Sequence, residues 1–530
     1  MPDADLPAPV AERLAALAED QRMAATAPAG PVLCIAPAGS GKTTTVVARI
    51  AWRIARGADP ATICALTFNR MAADELRERL GRALGPLGVA PDAVRVRTFH
   101  ALGREILADA GVAVDRLVDR ATVLGELAGG PLAPAALRRL EDAFSRFGLD
   151  PARAPTDPPT CAAWAAYRAE IDRRGALDLD DLVARAVPTL RAHPALLARW
   201  RARTAVLFVD EAQDLDHAQL ELALLLAGEA RDIFLVGDDD QTIYAWRLAD
   251  VRRILGLAGA LPGLLRVDLV TNHRCPPEVV RRAARLIAHG RERFAKRILP
   301  SERTAGTLLL APDPGDPHDR AYRLLERWLP AAEGRHAVLA RTNAELAPVA
   351  AAALERGIPW AGPDGLLALT DPARADVLAG TTAPDPEALV AAGRGPEPAA
   401  SAARTLAAWS AGGVGPRELE GRVEDARARA ALLCRPDADL VLATVHGTKG
   451  LEFDHVAVLG MDAGTFPSGR SITDAPEPAR AREEERRLAY VAWTRARRSL
   501  LLVHDPAAPS AFLREAFDAD ELARAWRAAG

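Results

Sequence analysis

Lysine is nearly missing from this 530-residue chain. Of 67 basic residues only Lys42, Lys296 and Lys449 are lysines. Asparagine is reduced to Asn69, Asn272 and Asn343, and glutamine to Gln21, Gln213, Gln219 and Gln241. A drift that replaces Lys by Arg wherever generic positive charge suffices leaves lysine where a compact ammonium is needed and a planar fork is not. Chance survival is the competing reading for any one position. The five cysteines (Cys34, Cys64, Cys161, Cys275, Cys434) are scattered, with no C-x-x-C pair. That sets aside a zinc site or an iron–sulfur cluster and leaves each a buried, reduced, structural role. No apolar run approaches the ~18 residues of a membrane span. Met1 to Val10 is acidic and Pro-rich instead of basic and then apolar. The chain therefore reads as cytoplasmic, with no membrane. A positive balance is also absent, since the net charge is −4. This disfavours a generally basic nucleic-acid binder but not one that carries a single basic groove.

The composition that remains, 49% hydrophobic and 26% charged, is that of a core-forming globular chain. At roughly 100–200 residues per domain, three or four domains are expected. Apolar runs at 31–35, 62–68, 94–98, 205–210 and 232–237 alternate with helical spacing, as at Thr43–Arg56 and Arg70–Leu84. Further strand-like runs lie near 307–311, 337–341, 440–445, 456–460 and 499–503. Such alternation predicts α/β architecture with two parallel sheets, whose ligands sit at the carboxyl ends of the strands. Residues 103–202 read as helical. The stretch 381–434, rich in Ala, Pro, Gly and Arg, carries no strand signal.

Three short segments carry chemistry. Ala36-Pro-Ala-Gly-Ser-Gly-Lys42-Thr43 has the strand before it and the helix after it that a phosphate-binding loop requires. Gly39 and Gly41 let backbone N–H groups turn toward phosphate, Lys42 reaches the β- and γ-phosphates, and the Thr43 hydroxyl suits Mg²⁺. The competing reading is a glycine-rich turn. Asp210-Glu211-Ala212-Gln213 follows the apolar run 205–208. Asp210 there suits Mg²⁺ and Glu211 the activation of water, against a helix cap with solvated carboxylates. Gly237-Asp-Asp-Asp-Gln241-Thr-Ile-Tyr244-Ala-Trp246-Arg247 packs three carboxylates, a Gln and two aromatics into one short segment.

The order of Gln21, the phosphate loop, Asp-Glu-Ala-Gln and this last segment resembles superfamily 1A DNA helicases, the UvrD/Rep/PcrA family. Leu66–Arg70, Thr98–His100, Asn272–Arg274, Ala340–Asn343, Thr444–Phe453 and Glu483–Ala496 extend the resemblance over nearly the whole chain. It implies two RecA-like domains, 1A (1–102 and 203–271) and 2A (272–380 and 435–530). It also implies a helical insertion 1B (103–202) and a strongly reduced accessory domain 2B (381–434). Bound ATP would contact Gln21 at the adenine and Ala38, Gly39, Ser40, Gly41, Lys42, Thr43 and Thr44 in the loop. His273 would lie at the base and Glu452 at the ribose. Mg²⁺ would be held by Thr43 and Asp210. Lys42, Asp210, Glu211 and the γ-phosphate sensor Gln241, with Arg274 and Arg495 as arginine fingers, would form the hydrolytic set. Phe68, Tyr244 and Trp246 would stack on bases of single-stranded DNA, with Asn69, Thr98, His100, Arg247, His446 and Lys449 along the track. Without the resemblance, Phe68 and Trp246 read as core aromatics and the histidines as structural. Asp178, Asp180 and Asp181 read better as capping, solvated carboxylates.

The chain departs from the family at His273, where Tyr is usual, and at Thr44, where Arg is frequent. An imidazole at His273 stacks on the base with less area, and Thr44 removes a base or ribose contact. The activity implied is an ATP-dependent 3′–5′ DNA translocase or helicase in repair, recombination or defence, a monomer or weak oligomer with a possible nuclease or repair partner. The rival is a nucleotide- and DNA-sensing subunit that gates a partner nuclease.

Overall fold

The computed structural model describes residues 6–229, 231–363, 366–367 and 416–529. Residues 381–415 of the expected reduced insert lie outside the described residues. The chain divides into two units, 1–271 with 292–297, and 272–291 with 298–530.

Unit 1 is built on strands β1 (Val32–Ile35), β2 (Ile63–Thr67), β3 (Arg95–Thr98), β4 (Val206–Val209), β5 (Ile233–Gly237) and β6 (Leu265–Asp268). They form one all-parallel sheet in the order β3-β2-β4-β5-β1-β6. Residues of β1 alternate between two apolar layers. Leu33 and Ile35 pack with Leu102, Val183 and Leu222 on one face, and Val32 and Cys34 with Val46, Ile50 and Leu76 on the other. A sheet covered on both faces reads as continuous apolar runs, which is why β1, β2, β4 and β5 are visible in the sequence. The sixth, β6, is at the edge with Leu265 and Arg266 exposed, so no apolar run marks it.

Residues 103–202 are helical, with short loops and one isolated bridge between Leu117 and Leu177. Their outer helices share a small core of Val123, Leu124, Phe144, Tyr167 and Ile171. Here the expectation of solvated carboxylates is corrected. Asp178 and Asp181 are buried and cap each other's backbone N–H groups. Arg120 holds Asp178 and Asp180, while Arg168 holds Asp181. Burial of Asp178 and Asp181 is sustained because each is paired with a guanidinium.

Two-residue strands β7 (Thr271–Asn272) and β8 (Leu299–Pro300) pair with each other. Unit 2 contains β9 (Thr307–Pro312), β10 (His336–Ala340), β11 (Trp360–Ala361), β12 (Leu440–Thr444), β13 (Phe453–Val458) and β14 (Ala496–His504). Its sheet is again all parallel, ordered β11-β12-β10-β13-β14-β9. The helix Pro416–Leu433 ends with Ala430, Leu433 and Cys434 packed on this unit's core. All five cysteines are free thiols. Cys34, Cys64 and Cys275 are buried, but Cys161 and Cys434 are only half-buried, contrary to the expectation for every cysteine. No helix among the described residues is long and apolar enough to cross a membrane.

Candidate functional site

The strand order of unit 1 decides which motifs meet. β5 lies between β4 and β1, so the loops after these three strands emerge side by side at the carboxyl edge of the sheet. The Ala36 N–H donates to the Gly237 carbonyl at 2.8 Å, which ties the start of the phosphate-loop segment to the end of β5.

After β1 the chain turns through Gly39 (φ 70°) and Gly41 (φ 84°) into the helix Lys42–Ala55. That helix has no side-chain cap and no acidic residue in its first turn. Its leading N–H groups and dipole therefore suit an anion. Gly41 is also required by proximity, because a Cβ there would lie 2.4 Å from Gln21 Nε2. Gln21 Nε2 donates to the Ser40 carbonyl at 2.8 Å, which fixes the candidate base-reading residue against the loop. Its helix, Glu19–Ala25, is held from below by Arg49, missed in the sequence. The buried Arg49 guanidinium donates to the carbonyls of Ala27 (2.6 Å) and Pro28 (3.0 Å), and burial lowers it to about 10.

Glu211 follows β4 in the left-handed region, φ 52°, unusual for a side-chain-bearing residue. Its Oε2 lies 3.4 Å from Lys42 Nζ and accepts from Gln213 Nε2 at 2.6 Å. Gln213 Oε1 in turn accepts the Asp238 N–H at 3.0 Å, and Asp238 Oδ2 accepts from Gln241 Nε2 at 2.7 Å. Gly237 allows this approach, since a Cβ would stand 2.4 Å from Gln213 Oε1. One network thus joins Lys42, Glu211, Gln213, Asp238 and Gln241. Desolvation, then the neighbouring Glu211, push Asp210 up to about 7 against the pull of Lys42. The Asp210 carboxylate and the Thr43 hydroxyl are hard oxygen donors of the kind that suits Mg²⁺, an ion that takes few protein ligands and keeps waters and phosphates.

Phe68, at the end of β2, and Tyr244, beyond β5, stack with centroids 5.1 Å apart and planes 8° from parallel. Trp246 stands edge-on to Tyr244 at 6.0 Å, and the Arg247 guanidinium lies 4.7 Å from the Trp246 ring centre. Trp246 is 58% exposed, which removes its reading as a core aromatic. Asn69 and Thr98 are helix caps, accepting from the Ala72 and Ala101 N–H groups. His100 is half-buried, and burial lowers its pKa.

In unit 2, Asn272 Oδ1 accepts from the N–H groups of Arg274 and Cys275. Arg274 Nε pairs with Glu452 at 2.5 Å and its Nη1 donates to the Thr494 carbonyl at 3.2 Å. Arg497 shares Glu452. Arg495 is 2% exposed and donates to the carbonyls of Val491 (3.0 Å) and Leu451 (3.1 Å). His446 lies near Arg341 and Lys449; burial, then these two cations, lower it to about 4. His273 and Thr44 are exposed.

Sequence reasoning gave no site role to Gln213, Asp238, Arg293 or Lys296, although Gln213 and Asp238 lie within the segments quoted above. The rarity of lysine was the signal available for Lys296.

Both units have counterparts among known proteins. A model of the UvrD/REP helicase N-terminal domain matches residues 17–147 and 134–262, and one of the UvrD-like helicase C-terminal domain matches 430–505. The ATP-dependent DNA helicase UvrD2 of Mycobacterium tuberculosis is 32% identical over 92% of this chain and 78% of its own length. DNA helicase II of Escherichia coli is 32% identical over 54% of this chain and 42% of its own. The ATP-dependent DNA helicase Rep of Salmonella typhimurium is 32% identical over 51% and 43%.

Proposed function

This chain belongs to the UvrD/REP family of ATP-dependent DNA helicases, and from that premise we propose that it translocates 3′ to 5′ on single-stranded DNA with the residues described above. The observation that carries the proposal is the network from Lys42 through Glu211, Gln213 and Asp238 to Gln241.

The leading N–H groups of the Lys42–Ala55 helix and the Lys42 ammonium bind the phosphates of ATP, and Gln21 reads the adenine. Glu211 takes a proton from the attacking water. Gln241 senses the γ-phosphate. Arg274 and Arg495 supply guanidinium charge to the transferring phosphoryl group, while Glu452 is assigned to the ribose. A magnesium ion held by Thr43 and Asp210 would neutralise charge on the phosphate oxygens. Phe68, Tyr244 and Trp246 stack on bases without sequence preference, and Asn69, Thr98, His100, Arg247, His446 and Lys449 line the strand. Exposed His273 and Thr44 leave the nucleoside with fewer contacts, so discrimination among nucleoside triphosphates is weak.

Steady-state ATPase with and without single-stranded DNA tests this reading. Strong stimulation that disappears in Glu211→Gln supports it. Stimulation unchanged in that variant removes Glu211 from the reaction. The rival role, gating of a partner nuclease, predicts little turnover by the isolated protein and recovery of a nuclease with it.

A further inference from the structure

Lys296 is a rare lysine to which the phosphate and DNA contacts proposed above give no part. It lies in a six-residue stretch, 292–297, that returns to unit 1 after the chain has entered unit 2. Its ammonium is fully buried and touches three successive carboxylates: Asp238 at 2.6 Å, Asp239 at 2.5 Å and Asp240 at 2.9 Å. Arg293 forks onto Asp240 at 2.7 and 2.8 Å, and the Phe294 N–H donates to Asp239 at 2.8 Å. Three buried acids cannot stay ionised without such partners. A compact ammonium with three donors sits among three carboxylates where a flat guanidinium would not.

The three acids differ in what else they do. Asp239 reaches Lys296 and the Phe294 backbone. Asp238 also accepts from the Gln241 amide at 2.7 Å, and its own N–H meets Gln213, which holds Glu211. We propose that Lys296 is a positioning residue for ATP hydrolysis: it holds the Asp238 carboxylate in place, and Asp238 sets the orientation of the Gln241 amide and, through Gln213, of Glu211. The inference rests on the reading of Gln241 and Glu211 given above.

The test compares Asp238→Asn with Asp239→Asn in full-length protein. Each removes one carboxylate from Lys296, but only the first alters the partner of Gln241. The readouts are Tm and DNA-stimulated kcat and KM for ATP. Asp238→Asn should lower kcat by about 10²-fold, the cost of a ~1 Å misplacement, with KM little changed. Asp239→Asn should keep most of the turnover although both variants lose similar Tm. Lys296→Met should match Asp238→Asn in kcat. If it does not fold, the aspartate pair still decides. Equal loss of kcat in the two aspartate variants, or no loss in either, overturns the positioning role. Glu211→Gln run alongside separates the failures: if it keeps turnover, the reading of the site is wrong; if it loses turnover while the aspartate pair behaves alike, only the role of Lys296 is.

Discussion

Two ammonium groups in unit 1 stand in opposite surroundings. Lys42 is partly open, with one carboxylate, Glu211, at 3.4 Å. Lys296 is closed off among three carboxylates at 2.5 to 2.9 Å. The first has charge to offer a ligand, while the second has given all of it to the protein. The same contrast appears between the two arginines assigned to catalysis in unit 2. Arg274 is half-buried in an ion pair with Glu452, whereas Arg495 is buried and spends donors on backbone carbonyls. A positive residue near a site is thus either poised for substrate or built into the support, and burial with partner count tells which.

Mutation breaks or sharpens this contrast. The largest effect is expected for Lys42→Ala, which should reduce DNA-stimulated ATPase to background with little change in Tm, because one long, weak ion pair contributes little stability. A large fall in Tm would put Lys42 in the same class as Lys296. Next, Glu211→Gln should lower kcat by about 10²–10⁴-fold while nucleotide binding, read by fluorescent-analogue titration, persists. Arg274→Ala and Arg495→Ala should each slow turnover by as much as ~10³-fold. Only Arg495→Ala should also lower Tm, since it empties a buried position and removes the guanidinium bonds to the Val491 and Leu451 carbonyls. Equal stability of the two would erase the distinction drawn between them.

Smaller effects test the DNA face. Trp246→Ala should weaken single-stranded DNA binding by about 1–3 kcal/mol and leave DNA-free ATPase intact. Loss of thermal stability with unchanged DNA stimulation would return it to a structural role. The smallest effect concerns His446, whose folded pKa of about 4 lies below the usual 6.5. Between those values the unfolded chain binds the proton and the folded one does not. Stability is therefore unaffected by this group above pH 6.5 and declines as pH falls toward 4. The Tm of His446→Asn should fall less than that of the parent over that window. A parallel fall in both would mean that His446 is not held neutral.

Much of this was legible beforehand because phosphate loops and Asp-Glu motifs are contiguous. The turn, the lysine and the helix start lie within eight residues, so the chain's local geometry makes the site. The ten expected strands are present, and the inner ones β1, β2, β4, β5 and β10 are buried along their whole length. The edge strand β6, with exposed Leu265 and Arg266, offered no such signal. The rare-residue argument was right to single out Lys296 but could not say for what. For asparagine it picked out backbone caps, because Asn69 and Asn272 both accept from nearby N–H groups.

Sequence alone determined the kinds of chemistry present: which loop turns N–H groups outward, which acids follow strands, and where aromatics and arginines cluster. Each is set by a few neighbouring residues and their backbone. Only the tertiary structure decided which of these groups touch. Placing β5 between β4 and β1 brings Gln213 to Asp238 across 25 residues of chain. The return of 292–297 to unit 1 brings Lys296 to Asp238 across 58. Such pairings depend on strand order, which no local pattern records. They also depend on the cost of burying charge, which is met only when the distant partner arrives.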